Sequence, residues 1–205
     1  MDLPAAGPIP LPLLVDRSAP LVQTFVQHPA DRQINWMRSL GVWQLRRLWK
    51  LAEQYPQPID PQEFARADGG VTICAGKNHL PVFSWFEKRF AEVDGQVVGY
   101  NETGWEKTFV GPGHFVLRPG DDEFELIVDY RTRPTTTHPD FPSLESSGFL
   151  AGLVYGGLVD KLRRVGGPLL IGRSVSDGFS VQAGAFFALH LPAVHAPAGH
   201  GPTGE

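Results

Sequence analysis

The chain has 205 residues, 42% of them hydrophobic and 20% charged, with a formal net charge of −4. It is long enough to bury a core without disulfides or metals, and its slightly acidic balance gives no reason to expect a nucleic acid as partner. Cys74 is the only cysteine, which excludes an intrachain disulfide framework and a cysteine-based zinc site.

The 23 glycines and 19 prolines favour turns and short strands over long helices. The opening MDLPAAGPIPLPLLV has an acid where a signal peptide has bases, and Pro8, Pro10 and Pro12 interrupt its apolar run. No run of about 18 apolar residues occurs, so no membrane span is expected and the default location is the cytoplasm. Four regions follow from composition: an extended Pro-rich arm at 1–29, a helical lead-in at 30–67, an antiparallel barrel domain at 68–191 and a disordered tail at 192–205.

In the lead-in, Ile34, Met37 and Leu40 form one helical stripe, and Val42, Leu45, Leu48 and Leu51 form a second after Gly41. Asp31 is placed to cap the first helix and Gly41 to end it. Trp36, Trp43 and Trp49 fall at helical spacing and read as core. Pro61 opens one more turn of helix at PQEF.

Strand signals begin at VTICA (71–75), with GKNH (76–79) as a turn. In VFSWFEKRFAEV, Phe83, Trp85 and Glu87 share one face, and Phe86, Lys88 and Phe90 share the other. Asp94-Gly95 is a hairpin turn, after which VVGYN pairs back. WEKTFV (105–110) reads as a strand, the Gly-Pro-Gly at 111–113 as a bend, and HFVL as the strand's resumption. FELIVDYR puts Phe124, Leu126, Val128 and Tyr130 inside, with Asp129 and Arg131 outside. TRPTTTHPDFPSLESSG (132–148) is a long loop with the character of a lid. LVDKLRRV (158–165) reads as a helix with Leu158, Leu162 and Val165 as its stripe, and LLIGRSV and AFFALHL are the last strands. The fold class expected is α+β, mostly β: an antiparallel lipocalin-like barrel or half-barrel behind an N-terminal helical segment.

Helical lead-in, WFEKRF, turn-rich strands, VDYR, LVDKLRRVGGPLLIGRS and a closing FFALHL follow one another in an order that resembles lipocalin-like bacterial proteins of the GXWXG and DUF4334 type. Asp160, Leu162, Arg163, Val165, Ile171 and Gly172 are the matching residues, and the likeness covers roughly residues 45–191. The region of the GXWXG signature reads FARADGGVTICAG here. The resemblance implies a barrel for a hydrophobic ligand.

No phosphate-binding, dinucleotide, zincin or nucleophile-elbow motif occurs. No cofactor or metal is expected. Two residues are candidates for acid–base work. Glu87 interrupts an aromatic face, with Lys107 or Arg131 as a partner. His114 could act as a lone base in an apolar barrel. Trp85, Tyr100, Asn101, Trp105, Lys107, Tyr130 and Tyr155 are the ligand-facing candidates, combining apolar bodies with a few polar tips. Three functions remain open: a module binding a small hydrophobic molecule, a cofactor-independent isomerase, cyclase or lyase acting on a hydrophobic metabolite in the same barrel, or an interaction protein docking through its Trp-rich helices. A homodimer is compatible with each.

Overall fold

Eight short strand segments pair in chain order and close on themselves. In the computed structural model, which describes residues 25–79, 84–102, 112–144, 157–177 and 183–193, the strands are β1 Thr72–Asn78, β2 Trp85–Val93, β3 Gln96–Glu102, β4 His114–Pro119, β5 Leu126–Asp129, β6 Leu158–Gly166, β7 Leu169–Ser176 and β8 Phe186–His190. Each is antiparallel to the next, and β8 pairs with β1 to complete a closed barrel. The class is α+β, mostly β. Closure leaves no unpaired sheet edge.

The two ends of the barrel differ. One carries the tight β2–β3 turn, where Asp94 (φ 53°) and Gly95 (φ 76°) take the left-handed conformation that a two-residue hairpin needs. A short 3-10 helix, Pro61–Phe64, packs against β2, β3 and β4 at this end. Pro61 sits in its first turn, and Asp60 accepts from the Gln62 amide at 2.8 Å while Glu63 reaches back to the Asp60 amide at 3.0 Å. Phe64 is fully buried, its ring 4.6 Å from that of Phe90. Around it lies an apolar interior of Phe90, Val97, Phe115, Leu117, Leu126, Leu162, Leu170 and Leu189. The other end carries the longer β1–β2, β3–β4, β5–β6 and β7–β8 connections.

A second core lies outside the barrel. Helices α1 (Ala30–Arg38) and α2 (Val42–Gln54) lay Trp36, Met37, Leu45, Leu48 and Trp49 onto Val165, Leu169, Ile171 and Ala188 of β6 to β8. Trp36 and Trp49 are core, as their spacing suggests, but Trp43 is 75% exposed. Gly41 does not end α1; it precedes α2, its amide donating to Gln44 Oε1 at 2.6 Å. Nor does Asp31 cap α1, because Pro29 holds that position and Asp31 falls in the first turn. The extended arm is corrected at its far end: Phe25 to Gln27 are helical, since Phe25 is buried edge-on against Trp36 at 5.2 Å. Residues 1–24 and 194–205, which hold the rest of the arm and most of the expected tail, lie outside the described residues.

Segment 158–165 is strand β6 and not a helix. A spacing of four puts Leu158 and Leu162 on one face of a strand as readily as of a helix. Pairing with β5 and β7 decides between them, turning Leu158, Asp160 and Leu162 inward and leaving Lys161 and Arg163 outside. These two outer cations flank the buried Glu125 carboxylate at 2.8 and 3.0 Å. Strand β1 also runs on through Gly76, Lys77 and Asn78, where a turn was expected, because β8 pairs with that stretch.

Gln33 joins α1 to the barrel. Its amide donates to the Phe25 and His28 carbonyls at 3.0 and 2.7 Å, and its oxygen meets His190 Nε2 at 2.7 Å. Burial holds the His190 imidazole below its ordinary 6.5, and His114 on β4 is lowered for the same reason. The unfolded chain therefore takes up these protons as pH falls through about 6.5 while the folded chain declines them. Folding stability should be full above that pH and fall on acidification, by on the order of 1 kcal/mol between about pH 7 and pH 5 once solvent screening is allowed for. Urea unfolding at the two pH values checks this, and His190→Gln should flatten part of the dependence.

Candidate functional site

Strand parity selects what enters the barrel. On β2, Phe86, Lys88 and Phe90 point inward. Trp85 is 61% exposed, and Glu87 pairs with Arg89 at 3.0 Å on the outer wall. Glu87 is thus not the buried acid, and Arg131 is not its partner, since Arg131 pairs with Asp129 at 3.0 Å; Lys107 lies outside the described residues. The reason lies in the neighbours. Phe86 and Phe90 share the face of Lys88, so burying two phenylalanines carries the lysine in with them.

Lys88 is 2% exposed. Its ammonium meets three oxygens: Asn101 Oδ1 at 2.8 Å, Asp160 Oδ2 at 3.0 Å and the Tyr130 hydroxyl. The network closes on itself. The Tyr130 hydroxyl donates to Asp160 Oδ2 at 3.0 Å and accepts from Asn101 Nδ2 at 2.9 Å. Ser174 donates to Asp160 Oδ1 at 2.6 Å. Five side chains from β2, β3, the end of β5, β6 and β7 thus meet inside the barrel, on the side of the long connections. Asn101 and Ser174 are direct cross-strand partners of Lys88 and Asp160 respectively. Lys88 and Asp160 stand on strands with no shared hydrogen bonds, so their ion pair spans the interior.

Aromatic rings complete the surroundings. Lys88 Nζ lies 5.1 to 5.6 Å from the ring centres of Phe86, Phe115, Tyr130 and Phe187. Three of these rings lie over glycines directly opposite them in the sheet: Phe86 over Gly76, Phe115 over Gly99 and Phe187 over Gly172. A Cβ at any of these glycines would run into the ring. The cage around the lysine is therefore written as much in glycines as in phenylalanines.

Burial lowers the Lys88 pKa from its ordinary 10.5, while the Asp160 carboxylate pulls it back up. Cys74, the cross-strand neighbour of Lys88, is fully buried, and burial pushes its thiol well up. It is therefore a small apolar core residue with no thiolate character. No group of three metal-ligating side chains occurs among the described residues.

The other sequence candidates divide clearly. Asn101 and Tyr130 belong to the network. Tyr100 faces the outer wall, where it donates to Glu102 at 3.0 Å and packs against Phe141 at 4.9 Å; burial and the Glu102 bond push its pKa up to about 12. His114 is also on the outer wall, its ring 5.9 Å from that of Tyr100. Odd and even positions of β3 and β4 face opposite ways, so neither residue reaches the interior. Trp105, Lys107 and Tyr155 lie outside the described residues, as do the WEKTFV strand and the first glycine of the 111–113 bend. Residues 132–144 of the expected lid run down the outside of the barrel. There Phe141 covers Tyr100, His138 meets the Gly69 carbonyl at 3.0 Å, and Thr136 donates to Asp94 at 2.8 Å.

Lys88, Asp160 and Ser174 are not among the site candidates that the sequence offers; Asp160 enters there only as a residue of the family resemblance. Lys88 was visible only as one side of an amphipathic strand, and Asp160 was hidden by the helical reading of its segment. A groove of about 570 Å³ also lies outside the barrel beside α1, but its polar walls satisfy each other, as His190 does with Gln33 and Arg164 with Glu63.

No protein-family model matches the chain, nor does any curated protein or solved structure.

The Lys88–Asp160 pair makes a double-mutant prediction. Lys88→Met leaves a buried carboxylate without its cation and should cost about 3–5 kcal/mol. Adding Asp160→Leu should recover much of that loss, because no unpaired charge then stays buried. Chemical denaturation of Lys88→Met, Asp160→Leu and the double variant gives the coupling; a double-variant loss equal to the sum of the two single losses would show that the pair is not coupled.

Proposed function

We propose that the protein binds a small, mostly apolar molecule inside the barrel, with the Lys88–Asp160–Tyr130–Asn101–Ser174 network as the polar floor that orients the ligand's oxygen. One observation carries this reading: five polar side chains converge in one hydrogen-bonded network inside a barrel whose interior is otherwise mainly apolar, with Thr72 and Asn78 as further buried polar residues on the inward face of β1. A barrel that needed only a core would be more stable with hydrophobic residues there. Ligand sites combine apolar walls with a few convergent polar groups, and that is the composition found here. Tyr130 is the one member of the network that is not fully buried, which makes it the group a ligand meets first. Asn101 Nδ2 has a second hydrogen free of the Tyr130 bond, available to a carbonyl or carboxylate oxygen. The resemblance of residues 45–191 to lipocalin-like proteins supports the same reading.

A second reading is favoured by the Tyr130 hydroxyl, which is held between an ammonium and a carboxylate. In an isomerase, cyclase or lyase, that hydroxyl would give a proton to a substrate carbonyl and recover one from the network. Glu87 and His114 have no part in either reading, because both face away from the interior.

Titration with the fluorescent polyene cis-parinaric acid should give saturable binding at one site per chain. Native mass spectrometry of the protein purified from its own host should show a co-purifying small molecule. Tyr130→Phe should weaken binding by about three- to tenfold, the value of one hydrogen bond, whereas Glu87→Gln should leave it unchanged. Absence of both probe binding and a co-purifying molecule would reject the proposal. Loss of turnover of the co-purified molecule in Tyr130→Phe, with binding retained, would favour the enzyme.

A further inference from the structure

The helical face carries a charge distribution unlike that of the chain as a whole. From Arg32 to Ala52 the sequence holds five cations, Arg32, Arg38, Arg46, Arg47 and Lys50, and no carboxylate, although the chain is net negative at −4. Arg38, Arg46 and Arg173 make no ion pair among the described residues; the groups they contact are aromatic. Arg38 lies over Trp85 at 5.0 Å, Arg46 over Trp43 at 5.4 Å and over Phe186 at 5.9 Å, and Arg173 over Phe186 at 5.7 Å.

These residues form one surface. Trp85 is opposite Lys77 on β1, Lys77 is opposite Ala188 on β8, and Phe186, two residues earlier on β8, is opposite Arg173 on β7. The α1–α2 pair lies across the same strands. The face therefore joins the helices to the barrel rim on the side of the long connections. Its two indoles are 75% and 61% exposed, the largest values among its large hydrophobic residues.

From this geometry we infer that the Arg38–Arg46–Arg173 face, with Trp43 and Trp85 as anchors, docks the protein on an anionic phospholipid surface. Tryptophan partitions to the headgroup layer, where its ring is buried and its N–H stays hydrated. Arginine pairs with lipid phosphates while its stem lies along apolar surface. Unpaired cations near an anionic leaflet each add attraction that salt screens. The assigned contact is with the membrane surface; among the described residues no helix is long and apolar enough to span. This inference stands apart from the barrel reading, since it uses none of the interior residues.

Co-sedimentation of the full chain with lipid vesicles tests it. Vesicles of phosphatidylcholine with about one third phosphatidylglycerol should bind the protein at low ionic strength, with a blue shift of tryptophan fluorescence, and release it at high salt. Pure phosphatidylcholine vesicles should bind it little. Arg38→Glu combined with Arg46→Glu should reduce binding by about tenfold or more, and Trp43→Ser should remove part of the blue shift. The milder Arg38→Gln and Arg46→Gln pair decides the matter if the charge reversals disturb folding. Absence of binding to the anionic vesicles, or binding that both Arg pairs leave unchanged, would overturn the assignment. So would capture by polyglutamate beads without vesicle binding, which would give the face to an acidic protein.

Discussion

A lysine held across the inside of the barrel by an aspartate on the far wall is the constraint around which the rest is arranged. Taking an ammonium and a carboxylate out of water costs several kcal/mol per ion, and their attraction compensates only when every remaining proton and lone pair is also satisfied. Here the three Lys88 protons have three oxygen partners, and both Asp160 oxygens are occupied. Asn101, Tyr130 and Ser174 are where they are because the ion pair requires them. The phenylalanine rings that close around the ammonium require Gly76, Gly99 and Gly172 in turn.

This strut also explains how unlike the two ends of the barrel are. Phe64 and the 3-10 helix seal one end with apolar contacts that need no polar partner. The polar network sits toward the opposite end, below the long connections, where Tyr130 keeps partial access. Outside, the wall is sorted by charge. Glu125 and Asp129 are buried carboxylates, each flanked by two cations: Lys161 and Arg163 for the first, Arg118 and Arg131 for the second. On the helical face Arg38, Arg46 and Arg173 have no such partner among the described residues.

The helices add stability at the same time. Their inward residues form a core separate from the barrel interior, so the sheet is covered on both faces from β6 to β8. This is why Leu169, Ile171 and Ala188, which point out of the barrel, are as fully buried as Leu170 and Leu189, which point in. Continuous apolar runs such as LLIG and FFAL are the sequence trace of strands buried on two sides.

Much of the architecture was legible in the chain. Asp94-Gly95 specifies its hairpin because few residue pairs accept two positive φ values in succession. The parity of FELIVDYR puts Tyr130 inside and Asp129 outside because strand side chains alternate without exception between bulges. The stripe of α2 dictates that Leu45, Leu48 and Trp49 are buried. What the chain alone left undecided were choices between two faces or two periods. WFEKRF has aromatic residues on both sides, and only the packing of Phe86 and Phe90 against the opposite wall put Lys88 inside and Glu87 out. LVDKLRRV satisfies helical and strand periods alike, and only pairing with β5 and β7 turned Asp160 inward. The site depends on both outcomes together, since Lys88 and Asp160 are 72 residues apart. Local sequence determines which residues share a face; which face is buried, and what it meets there, is decided only when the barrel closes.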